Sequence, residues 1–180
     1  VQELQTTISS AFQAHLFTHL YPRSTISIAL HVLSLDGALL VACLNAASLA
    51  LVDAGVPMPS ILSAVSAGSI PADSMAQVSG GGANSTRAEP VLDLNAAEEL
   101  ELPFLSIATV AGQEDATGTA KAEEDRVSVL LMESRCEIGS PGNSRLEGML
   151  ATGVDGCKEV RRKMEDVIRT HGARVMLSRK

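Results

Sequence analysis

Four groups of side chains in this sequence have types and spacings that could do chemistry. His15 and His19 stand four apart, the spacing at which two imidazoles on one helix face can meet a single metal ion. No Glu follows the first His in the HExxH manner and no third ligand is evident, so the pair reads as helix-surface histidines and no metal is assigned. Gly80, Gly81 and Gly82 offer backbone N–H groups as a nucleotide loop would, but no Gly-Lys-Ser or Gly-Lys-Thr follows, and the run reads as flexible loop. Glu98, Glu99 and Glu101 crowd carboxylates that can serve as acid and base when an anion-binding partner is near; without that partner they form an acidic surface turn. Lys158, Arg161, Arg162, Lys163 and Arg169 make a basic outer face on the last helix, suited to the helix dipole or to the phosphates of RNA.

The elements that must position these groups follow from hydrophobic period. Leu4, Ile8, Phe12, Leu16 and Leu20 recur every four residues, so 1–20 is expected to be an amphipathic helix stopped by Pro22. Ile26, Ile28, Leu30 and Val32 alternate with smaller or polar residues, which predicts a half-buried strand over 25–33, with His31 pointing away from the core. Asp36-Gly37 supplies a turn. The helix expected over 39–54 is apolar nearly all round, which implies burial on several sides, and Gly55 with Pro57 stops it. Residues 61–70 predict an interior strand, and further strands are expected over 90–94, 104–111 and 126–132, with flexible loops at 71–89 and 112–125. From Arg145 the period turns helical for about six turns, with Ser144 and Glu147 as a capping box. Gly148, Gly153 and Gly156 weaken that helix unless close packing requires them.

The result is an α+β layer, a mixed sheet with packed helices. Its core must be aliphatic and small, because hydrophobic residues make up 46% of the chain while there are only three Phe, one Tyr and no Trp. A net charge of -7 argues against a surface that attracts nucleic acid everywhere. Cys43, Cys136 and Cys157 form no CxxC pair and are odd in number, which excludes a disulfide framework and suits a reducing compartment. No apolar run is long enough for a membrane span, so no membrane partner is expected. The sequence opens inside a helical pattern without a capping residue, which suggests a chain continuing upstream of Val1.

Several unusual elements then occur in order: Leu20-Tyr21-Pro22-Arg23-Ser24, an alternating stretch ending in VLSLDG, the NAASLAL helix, and DAGVPM followed by Ser66-Ala67-Gly68. VLDLNAAEELELPFLSIAT and RLEGMLATGVDGCKEVRRKMEDVIRTHG follow. Together they resemble the RNase PH family, and within it the RNase PH-like ring subunits of the eukaryotic RNA exosome. The likeness is to the ring subunit nearest the archaeal and bacterial phosphorolytic RNases, in a fungal-looking form.

The resemblance implies the later part of a duplicated βαβα fold, hence a single domain over 1–180 that is incomplete at its N-terminus. Active relatives cleave RNA from its 3′ end by phosphate attack. They hold the phosphate with a Ser or Thr followed by Arg just after the turn. The corresponding positions here are Leu39 and Leu40, neither of which can donate a hydrogen bond from its side chain. The family's acidic pair is altered too: Glu99 stands in the first place, and Glu101 is the nearest residue to the second.

The resemblance therefore implies a non-catalytic subunit with no catalytic residues and no cofactor. Its partners would be other RNase PH-like ring subunits, RNA-binding cap subunits and RNA. Its place would be in the nucleus and nucleolus and also the cytoplasm, in RNA processing and degradation, rRNA included. The alternative is an active phosphate-dependent 3′–5′ exoribonuclease. Arg87 and Arg126 flank loops and are candidates for RNA contact, although surface placement accounts for them equally.

Overall fold

The computed structural model describes residues 2–70, 89–112, 125–133 and 142–178. Four strands form one sheet in the order β2-β1-β3-β4, where β1 is Ser63–Ile70, β2 Glu89–Leu92, β3 Phe104–Val110 and β4 Arg126–Glu133. Helices α1 (Gln2–Gln13), α2 (Leu39–Asp53), α3 (Ala96–Glu101) and α4 (Gly142–Ser178) complete the described elements, with a short 3-10 turn at Thr18–Leu20. The α+β class is borne out. All three ladders among the described strands are antiparallel, where a mixed sheet was expected.

The sheet is the middle of three layers. Ala64, Ala108 and Val110 face α1 and α2 in one core with Phe12, Leu44, Ala47 and Leu51. Val65, Ala67, Leu105 and Ile107 face the opposite way, against Met149 and Cys157 of α4. Such alternation is what the period of two along β1 and β3 imposes, and burial on both faces explains why 63–69 is continuously small and buried. Burial pushes the Cys157 thiol above its ordinary pKa, so it packs as a small hydrophobe.

Local signals account for the ends of α2. Gly55 adopts a φ of +73°, and its N–H reaches Val52 O while the N–H of Val56 reaches Leu51 O, the Schellman closure expected of a Gly there. The helix is buried on one face only, through Leu40, Val41, Leu44, Ala47, Ser48 and Leu51; Ala42, Ala46 and Ala50 face outward. Its expected burial on several sides does not occur in the single chain.

Three other expectations are corrected. The stretch 25–33 is not a strand: Ile26 and Leu30 pack on the α2-side core, Ile28 and Val32 are exposed, and no described strand lies alongside to form a ladder. An alternating pattern does not by itself make a strand, which also needs a neighbour. The first helix ends at Gln13, which separates His15 from His19; His15 Nε2 lies 3.0 Å from Ser60 O, and no metal-binding cluster occurs among the described residues. The last helix begins at Gly142, so Ser144 lies inside it and not at its N-cap position. Among the described residues, no helix is long and apolar enough to cross a membrane. The loop segments 71–88 and 113–124, with Arg87, lie outside the described residues.

Candidate functional site at the tip of α2

The turn that enters α2 is built from backbone conformations few residues tolerate. Gly37 has a φ of +86° and Ala38, at the N-cap, a φ of +50°. Gly37 is needed for a second reason: a Cβ there would stand 2.5 Å from the Leu94 carbonyl oxygen, so the turn lies directly on the backbone entering α3. Ala38 has no side chain with which to cap α2, and the first N–H groups of a helix need acceptors.

The acceptor comes from far along the chain. Glu99 Oε1 takes the Ala38 N–H at 2.6 Å. In the reverse direction, Asp36 Oδ1 lies 3.4 Å from the Ala96 N–H at the start of α3. Each helix thus presents its N-terminus to a carboxylate from the other segment, which suits both macrodipoles.

A chain of contacts delivers Glu99 to this place. Ser66 of β1 accepts the Asp93 N–H on its carbonyl at 2.9 Å and the Leu94 N–H on its hydroxyl at 3.1 Å. Asp93 turns with a φ of +60°, and Leu94 is buried against Gly68, where a Cβ would collide with its side chain. Asn95 then caps α3: its Oδ1 accepts from Ala97 and Glu98, while Glu98 Oε2 accepts the Asn95 N–H at 2.9 Å. That reciprocal capping box fixes the first turn of α3 and with it the direction of Glu99. On the other side, Asn45 of α2 bonds both the N–H and the carbonyl of Ala64, at 2.8 and 3.0 Å, and so ties the helix to β1 at a position that β2 does not reach.

The expected site residues are placed as follows. Leu39 is half-buried as the first residue of α2, and Leu40 is buried in the α2-side core. Glu99 is brought to the tip and Glu101 is not; Glu101 is exposed at the end of α3. The acidic surface turn expected at 98–101 is corrected, because Glu98 and Glu99 are both capping groups and only Glu101 belongs to the open surface. Asn95, Ser66 and Asn45 escaped the sequence reading, although Asn95 followed three residues on by Glu98 is a helix-start signal.

The basic face of α4 is also different from expectation. Lys158 pairs with Asp155, Arg162 with Glu159, and Arg169 with Glu165 and Asp166, each within one turn of the helix, so much of its positive charge is neutralised locally. Arg161 is not on the outer face at all but is buried against the sheet. Arg126 is exposed at the start of β4.

Residues 1–57 match the RNase PH family profile, described as the 3′ exoribonuclease family, domain 1. That stretch resembles the family. The chain is 29% identical over 171 residues to exosome complex component SKI6 of Saccharomyces cerevisiae, a match covering 95% of this chain and 56% of that protein. To the exosome complex component RRP41 homolog of Arabidopsis thaliana it is 33% identical over 166 residues, covering 92% of this chain and 56% of that one. The chain thus spans little more than half the length of these relatives. The crystal structure of rice Rrp46 superposes with a TM-score of 0.68 at 21% identity, covering 93% of this chain and 65% of that one, which shows a shared fold. The narrower resemblance, to exosome components, is borne out by the same relatives.

Proposed function

We propose that this chain is a non-catalytic RNase PH-like subunit of an exosome core ring. In this reading it pairs with other RNase PH-like chains, stands beneath RNA-binding cap subunits, and helps to guide RNA through the ring during 3′–5′ processing and degradation, rRNA included. It works in the nucleus and nucleolus and also in the cytoplasm. The ring assignment is supported by the exosome components it resembles.

One observation carries the non-catalytic part: the Ala38 N–H at the tip of α2 is already taken by the Glu99 carboxylate, and the two side chains that follow are leucines. An attacking phosphate needs donors that are free and preorganised. Here the nearest backbone donor is occupied by an anion of the chain itself, and a second anion brought beside Glu99 would be repelled.

Inorganic phosphate titrated into the full-length protein tests this directly. The amide resonances of Ala38, Leu39 and Leu40 are expected to stay in place. Saturable shifts at those three amides would favour the alternative, an active phosphate-dependent exoribonuclease.

A further inference from the structure

On the far side of the sheet from α2, a second polar cluster is buried without any part in the tip. Arg161 of α4 donates from Nη1 to Asp125 Oδ1 at 2.8 Å and from Nη2 to Thr109 Oγ1 at 3.0 Å. Its side chain is 10% exposed and that of Asp125 3%. The bridge grips one end of the β3–β4 pair, where the register slips between Ala108 and Thr109. Asp125 immediately precedes β4 and Thr109 lies on β3, so the guanidinium ties the two segments together at the end where their register shifts.

The rest of β4 is held lightly. Among the described elements it is an edge strand with extensive contacts to β3 alone. Val129 packs on the α2-side core, but Val127, Leu130, Leu131 and Met132 are all exposed. Little apolar burial therefore opposes its detachment. The bridge itself is under-satisfied, since Asp125 Oδ2 and Arg161 Nε are buried without a partner among the described residues. Opening the strand returns both atoms to water, which offsets part of the cost of breaking the ion pair.

We propose that the Arg161–Asp125–Thr109 bridge is a latch that governs whether β4 opens independently of the rest of the sheet. Hydrogen exchange followed by mass spectrometry on the intact protein tests it, by comparing peptides spanning 126–133 with those spanning 63–70. In the unaltered protein, exchange in β4 is expected to run about tenfold or more ahead of β1, as a sub-global opening requires. Arg161→Met should speed β4 by about a further tenfold and leave β1 unchanged. Asp125→Asn, which keeps the shape and removes the charge, should act in the same direction. Exchange of β4 as slow as that of β1, or variants that speed both strands equally, would overturn the latch. Collapse of the whole fold in both variants would overturn it as well, because the bridge would then be holding the molecule rather than one strand.

Discussion

Glu99 supplies α2 with what a Ser or Asp at the N-cap normally provides, an oxygen for an orphan N–H, and it does so from 61 residues away. A local cap holds only its own helix, whereas this one also holds α3 against the turn. Its loss should therefore be felt as global stability. Glu99→Ala is expected to lower the free energy of unfolding by about 1–2 kcal/mol, the range of caps and charge-assisted hydrogen bonds. Glu99→Gln keeps an acceptor and loses the charge, so it should lose about half as much or less. Urea denaturation of the three proteins checks both values; equal stability of all three would mean that the contact holds nothing. The placement of Glu99 could not be read from its neighbours in sequence. Carboxylates two residues apart look alike as text, and only the turn at Asp93 and the cap at Asn95 decide that Glu99 meets the tip while Glu101 faces water.

Packing between α4 and the sheet sets the terms at the scale of an element. A Cβ at Gly153 would run into the side chain of the buried Ile107, and one at Gly156 would stand 2.9 Å from Leu92 Cδ1, while Gly148 faces open space. The helix thus approaches β1, β2 and β3 closely along one stripe. Gly153→Ala gains about 1 kcal/mol of helix propensity but overpacks the core by about 1–3 kcal/mol, for a net loss. Gly148→Ala should gain up to about 1 kcal/mol, since nothing opposes it. Thermal unfolding of the two variants should move in opposite directions, and a stabilised Gly153→Ala would show that the close approach is not maintained. Much of this helix, of α2 and of the strands was legible because periodicity and stop signals are local. Gly55 and Pro57 marked the end of α2 to within a residue. The stretch 25–33 fails as a strand for the converse reason: Ile26 and Leu30 turn inward but Ile28 and Val32 are exposed, and strand formation depends on a partner that local pattern does not specify.

In the whole molecule, the two helix layers divide the labour. The α2 side carries the family's turn and helix, and Glu99 and Leu40 close it into a structural corner. The α4 side carries the latch and a helix whose exposed basic residues are largely paired within their own turns. Glu99 holds the Ala38 N–H and two leucines follow Ala38, and the proposed role of that corner is a fixed wall of a larger assembly. Release of nucleoside diphosphates tests that account most directly. The full-length protein, purified together with any RNase PH-like chain that it retains, is incubated with RNA and inorganic phosphate. No diphosphate release attributable to this subunit is expected, and Glu99→Ala should change nothing but stability. Phosphate-dependent release that disappears in a folded Glu99→Ala protein would contradict the account and make Glu99 a catalytic group.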